Sequence, residues 1–331
     1  MIVRERPSGI RLFFAMRGSI LGQIKWTLAA NIALAVLVTW SHGRLLDYKL
    51  QVSALPFSLI GLPLAIFLGF RNNACYDRYW EARKLWGDVL LRGRTLARQV
   101  LTLIDAPAAA STAASTAAST ATATADASAG HLPVDALRRR MVLRMAAFAH
   151  ALKHQLRGTS RDADLAAWLT EDDARVIAPV ANRPSGLLLQ MGRDLQACRA
   201  QGRIDPVLSA SIDATLSGLT ASAASCERIK SSPLPFPYTL LLHRTAHLYC
   251  FLLPFGLVDS MGALTPVVVA IVAYTFFGLD AVGDEIEEPF GLRPNDLPLD
   301  AICRTLEIDL LQALGETEVP PPLQPVDYCL M

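Results

Sequence analysis

Two pairs of histidines stand four residues apart, His150 with His154 and His243 with His247. On a helix that spacing puts both imidazoles of a pair on one face, an arrangement that can hold a divalent metal. Neither pair carries the glutamate of a His-Glu-x-x-His site, and neither has an evident third ligand in the sequence, so no metal and no cofactor is assigned. An acidic run, Asp284, Glu285, Glu287 and Glu288, can concentrate cations or pair with arginines, and pairing is the preferred reading. The six cysteines form no Cys-x-x-Cys pair and show no zinc-ligand spacing, as befits scattered reduced thiols. There is no glycine-rich phosphate loop and no Gly-x-Ser-x-Gly elbow, so nothing indicates an enzyme. The spacing with the most to offer is apolar. Leu62, Ile66 and Phe70 recur every fourth residue, beside a second row of small residues, Gly61, Ala65 and Gly69. Small residues let membrane helices approach closely. The bulky row either packs against neighbours or lines a narrow pore whose apolar wall gates by dewetting, and spacing alone leaves both open.

These residues need a scaffold, and composition points to lipid. Of 331 residues, 52% are apolar and 18% charged, against roughly 25% charged in average soluble domains. The formal charge of +1 gives no global field for nucleic acid. Four apolar segments are long enough to cross a bilayer or nearly so: Ile20–Trp40, Ala54–Phe70, Tyr238–Val258 and Ala263–Leu279. Trp26 and Trp40 suit the headgroup boundary of the first. His243, Arg244 and His247 in the third must face protein or water. The expected organisation is residues 1–70 with the first two spans, a cytoplasmic helical region 71–235, the last two spans in 236–282, and a cytoplasmic segment 283–331.

Arg4, Arg6, Arg11, Arg17 and Lys25 precede or open the first segment. Arg71, Arg78, Arg83, Lys84, Arg92, Arg94 and Arg98 follow the second. The loop between those segments holds only Arg44 and Lys49, and the turn Asp259–Gly262 holds no basic residue. Positive residues stay inside, so both termini and the central region are expected in the cytoplasm. In the central region Tyr76–Leu103 and Arg138–Arg157 show helical spacing, the latter with its arginines on a solvated face. The Ala/Ser/Thr run from Ala106 to Ala129 reads as a flexible, dispensable insertion, and the proline-rich Val319–Pro325 as extended chain. No alternating strand pattern appears.

The run Pro56 to Gly87 resembles the bestrophin signature: an apolar helix, a polar turn at Phe70-Arg-Asn-Asn73, then a helix rich in aromatic and charged residues. Glu288-Pro-Phe-Gly291 resembles a second landmark of that family and Gly202-Arg-Ile-Asp205 a third. The order is right, and the likeness spans nearly the whole chain except the insertion and the tail. The bacterial branch fits best. The resemblance implies an all-α integral membrane protein with four transmembrane helices and a helical cytoplasmic region. It implies assembly with itself as a homopentamer in the lipids of a bacterial inner membrane, passing monovalent ions and binding no nucleic acid. It places Leu62, Ile66 and Phe70 in a hydrophobic neck and a cytoplasmic constriction near Leu187. Animal members pass chloride and some bacterial ones favour cations, so the sign of the ion stays open. Eukaryotic members bind calcium through an acidic run after the Pro-Phe-Gly landmark. Here Leu292-Arg-Pro-Asn-Asp-Leu-Pro298 offers only Asp296, and calcium wants six to eight oxygens. The rival readings are a membrane-anchored scaffold or signalling protein, which would need no lumen-facing stripe, and a secondary transporter, for which inverted repeats are missing.

The arginine asymmetry carries a test of topology. Cysteine-accessibility labelling is expected to reach Asp259–Gly262 from outside and the Ala/Ser/Thr run from inside only. Labelling of the central region from outside contradicts this topology.

Overall fold

A computed structural model describes residues 1–3, 18–41, 44–45, 48–49, 55–105, 133–159 and 162–331, so the Ala/Ser/Thr run lies outside the described residues. The chain is helical: α1 Leu21–Trp40, α2 Leu55–Leu103, α3 Val134–Arg157, α4 Asp162–Ala166, α5 Glu171–Ile177, α6 Arg183–Ala200, α7 Pro206–Ser231, α8 Phe236–Met261, α9 Thr265–Ile286 and α10 Leu299–Ala313. One small addition is an antiparallel pair, β1 Arg44–Leu45 with β2 Tyr48–Lys49, in register Arg44 with Lys49.

The second apolar segment and the charged helix after it are one element. The polar turn expected at Phe70–Asn73 is helix, and α2 runs 49 residues without a break, about 74 Å at the usual rise. The sequence allows this because no proline occurs between Leu64 and Asp105. Pro56 sits in the first turn, where a missing N–H costs nothing. Pro63 deletes one internal hydrogen bond but does not interrupt the helix. Leu68, Cys75, Ala82, Val89 and Leu96, each seven residues on, are all essentially buried. That seven-residue repeat gives α2 one continuous inward seam.

One compact unit comprises Met1–Arg83, Ile229–Leu297 and Pro325–Met331. Its core joins α1, the first half of α2, α8 and α9 through Ile24, Leu64, Leu68, Leu242, Ala246 and Phe277. Two glycines permit close approach. A Cβ on Gly256 would lie 2.3 Å from the Phe57 ring, and one on Gly61 2.8 Å from the Tyr249 hydroxyl. Asn31, fully buried, donates from Nδ2 to the Cys250 carbonyl at 2.9 Å, a polar link between α1 and α8 of the kind that holds membrane helices together. Three stretches are long and apolar enough to cross a membrane, Leu21–Trp40, Leu55–Leu103 and Phe236–Ile286. The third is two helices, α8 and α9, joined by a short 3-10 turn, Gly262–Leu264. Large apolar side chains point outward from these helices, Trp26 at 78% exposure and Ile271 at 63%. Lipid accepts such a surface because the helices satisfy their own backbone groups. This is a helical membrane protein. The unit ends where the chain's two termini meet: Val3 donates to the Tyr328 carbonyl and Leu330 to that of Met1.

The other unit comprises Lys84–Arg228 and Pro298–Gln324. The unit boundaries at 83/84 and 228/229 therefore fall inside helical segments and not at 70/71 and 235/236. Helix α3 is the centre of this unit, closed by Gly158 in the left-handed region at φ 65°. Its arginines do not form the solvated face that the sequence suggests. Arg144 is buried, bonded to Asp173 and Asp194, and Arg140 reaches Asp194 at 2.6 Å. Burial would raise the Asp173 carboxyl, but the bonds from Arg144 outweigh it and hold it below the ordinary range. Asp194, more enclosed, is raised by burial despite both arginines. On the opposite side Lys153 and Arg157 bond Asp300 at 2.9 and 2.6 Å.

Asp300 gives this unit an acid-sensitive contact. Burial pushes its carboxyl up, yet the hydrogen bonds from Arg157 and Lys153 bring it down to about 2. A depressed carboxylate stabilises the fold above its unfolded value near ~3.9, and the contribution disappears as pH falls through the folded value. Because Asp300 is about one-third exposed, the effect is reduced by solvent to about 1–2 kcal/mol. Thermal melts should place Asp300→Asn below the parent at pH 7, with the gap closing between pH ~4 and ~2. An equal gap at both ends of that window would remove Asp300 from this role.

Candidate functional site

The exposed side of the first half of α2 carries the candidate stripe. Leu62, Ile66 and Phe70 are 67%, 47% and 59% exposed, while Leu64 and Leu68 on the opposite side are 3% and 0%. The three side chains therefore share a surface that this chain alone leaves open. The small row is divided. Gly61 packs against Tyr249, but Ala65 is exposed and a Cβ on Gly69 would meet nothing within 4 Å.

The stripe ends on a buried charge. Arg71, the residue after Phe70, has no exposed surface. It bonds Asp280 Oδ1 at 2.7 Å, Asp284, and Glu287 at 3.5 Å, and also reaches the Asp280 carbonyl at 3.3 Å. The three acids fall at spacings of four and three on α9, so one face of that helix wraps the guanidinium. The acidic cluster is thus engaged by cations, as its sequence context suggests: Lys230 pairs with Glu288, and Arg78 donates to the carbonyls of Ile229, Ser232 and Glu287. The importance of Arg71 was missed from sequence. The signal was present in a lone arginine closing an apolar run and in carboxylates on one helical face.

Both histidine pairs gain a third residue from elsewhere in the chain, which their local sequence could not reveal. His150 and His154 meet Asp164, and His243 and His247 meet Asp280. In the first cluster every ring nitrogen is already used. His150 contacts Glu307 at 2.5 Å and Lys153 at 3.2 Å, and His154 contacts Thr159 at 2.8 Å and Asp164 at 3.0 Å. Burial and neighbouring Lys153 hold His154 below its usual value, against the pull of Asp164. In the second cluster His243 Nδ1 meets Asp280 at 2.7 Å and His247 Nδ1 meets the His243 carbonyl at 2.8 Å.

Asp296 closes the loop after Phe290-Gly291. It is buried, its Oδ2 accepts from the Arg293 backbone N–H at 2.7 Å, and burial raises its carboxyl. Leu187 is fully buried within its unit and offers no side chain to a lumen, whereas Leu189, two residues on, is 56% exposed. The count from sequence missed by that amount because Pro184 and Gly186 lie inside α6 and leave the landmark spacing ambiguous.

Residues 1–312 match the family described as Bacterial/Fungal Bestrophin protein. The chain belongs to the bestrophin family. Among its curated relatives, the voltage-dependent anion channel-forming protein mll4386 of Mesorhizobium japonicum is 41% identical over 99% of this chain and 96% of its own length. The voltage-dependent anion channel-forming protein YneE of Escherichia coli K12 is 39% identical over 98% of each. A crystal structure of a bacterial bestrophin homologue from Klebsiella pneumoniae superimposes with a TM-score of 0.78 at 35% identity, covering 89% of this chain and 100% of that one. Family, helical membrane fold and the order of the sequence landmarks therefore agree.

The Arg71 cluster sets a prediction for this bestrophin. Replacing Arg71 with Met leaves buried carboxylates without their cation, a change that typically costs about 3–5 kcal/mol. Arg71→Lys keeps the charge but loses the planar fork that serves several oxygens at once, and should recover only part of the loss. Melting of the detergent-solubilised protein measures both. A lysine variant as stable as the parent would mean that charge alone suffices.

Proposed function

We infer that this bestrophin is a homopentameric ion channel of the inner membrane, with both termini in the cytoplasm. Its pore is lined at the neck by Leu62, Ile66 and Phe70. The observation that carries this reading is the joint exposure of those three side chains opposite a buried seam on the same helix. Repeated about a symmetry axis, each residue becomes an apolar ring. Ala65 and Gly69 beside them leave room for the neighbouring copy of α2. Such a ring gives an ion no substitute for its water, so a narrow neck resists conduction until it widens.

The cytoplasmic constriction is placed at Leu189 in preference to Leu187, because a lumen-facing residue must be exposed on the single chain. Small monovalent anions are the proposed cargo, in keeping with the names of the relatives from Mesorhizobium japonicum and Escherichia coli. The neck itself carries no charge and does not select by sign. Selection falls to dehydration cost, pore width and charges at the two mouths. Calcium is not expected to activate the channel, since Asp296 stands alone in its loop and one of its oxygens is already bonded.

The test combines current and stability on one purified variant. Changing Leu62, Ile66 and Phe70 together to alanine is expected to raise conductance or open probability in a planar bilayer, with the oligomer intact. Under asymmetric chloride the reversal potential should follow the anion gradient. If the stripe packs against other helices instead, each substitution leaves a cavity costing about 2–5 kcal/mol. A fall in melting temperature with no gain in current would then refute the neck.

A further inference from the structure

The pair His243 and His247 is built as a metal site. His247 Nδ1 lies 2.8 Å from the carbonyl of His243, which can only accept, so that nitrogen carries the proton. Its Nε2 is left as a bare lone pair. His243 Nδ1 lies 2.7 Å from Oδ2 of Asp280, whose other oxygen is bonded to Arg71. A carboxylate on that nitrogen likewise puts the proton on Nδ1 and leaves Nε2 free. Metal-binding histidines are commonly fixed in this way, with the non-ligating N–H held by a carboxylate or a backbone carbonyl. Here both outer partners are already in place. The two ring centroids are 4.1 Å apart, and neither Nε2 has a hydrogen-bond partner among the described residues.

Charge and access agree with the geometry. Three carboxylates, Asp280, Asp284 and Glu287, surround the one guanidinium of Arg71, so this cluster is net negative beside the histidines. The His243 side chain is half exposed, which leaves a route for an ion. The pair in the other unit lacks these properties, because its ring nitrogens are bonded and the Lys153 ammonium stands 3.2 Å from His150.

We propose that His243 and His247 bind a zinc-class divalent ion through their Nε2 atoms, with Asp280 as the carboxylate that orients His243. Two imidazoles four residues apart suit zinc at about 2.0–2.1 Å per nitrogen, and water completes the shell. An ion there would sit one side chain from Asp280 and two from Arg71, the residue that follows Phe70 in α2.

Zinc binding to the purified full-length oligomer in detergent tests this without any measurement of current, so the outcome is independent of the channel reading. Calorimetry with zinc chloride should show one ion per chain. His247→Gln and His243→Gln should each weaken binding at least tenfold, and His154→Gln in the other pair should leave it unchanged. X-ray absorption on the unaltered protein supplies a measurement that needs no variant, and should show two imidazoles around zinc. No binding up to millimolar zinc overturns the proposal. So does undiminished binding by folded His247→Gln, or loss of the ion on changing His154.

Discussion

Arg71 is a full positive charge with no exposed surface, placed where the apolar half of α2 gives way to its charged half. Such a group is tolerable only with its donors occupied and its charge matched, since an unpaired buried ion costs several kcal/mol. Asp280, Asp284 and Glu287 supply that match from one face of α9. Three consequences follow. The rotation of α2 is set, because Arg71 must point at α9. Leu64 and Leu68, on the same side, go into the core. Leu62, Ile66 and Phe70 are thereby turned outward.

The same constraint explains how one helix serves two environments. The seven-residue seam from Leu68 to Leu96 keeps a single buried line along a helix that begins among apolar neighbours and continues among charged ones. A break at Phe70–Asn73 would release Arg71 from its partners and let the stripe rotate. Continuity of the helix and burial of the arginine therefore support each other. Asp280 has a further part, since its second oxygen holds His243. Any change at the histidines is felt at the charge cluster through one carboxylate.

Much of this was legible in residue order. Apolar runs of spanning length, the fourth-residue spacing of Leu62, Ile66 and Phe70, and three separated family landmarks gave the membrane class, the candidate stripe and the family. Local pattern failed where the deciding partner was distant. Nothing near Arg144 says that Asp173 and Asp194 will bury it, and nothing near His243 predicts Asp280, which lies on another helix. The polar Phe70–Asn73 stretch resembled a turn because exposed polar residues are common to turns and to helix surfaces. Only the buried bonds of Arg71 distinguish the two. Leu187 and Leu189 differ by two residues, a spacing that on a helix moves a side chain to the other side. Reading burial at that resolution needs the packed helix.

The central claim is that the outward stripe of α2 faces water in a conducting pore and not lipid. Five of the six cysteines are buried and the remaining one, Cys329, is only partly so. Replacing Cys329 with Ser and Ile66 with Cys therefore puts a single reactive thiol at the neck. A charged, water-borne thiol reagent applied during bilayer recording should change the current irreversibly, and a reductant should restore it. If current is untouched while a lipid-soluble maleimide modifies the same position, the stripe faces the bilayer and the pore lies elsewhere.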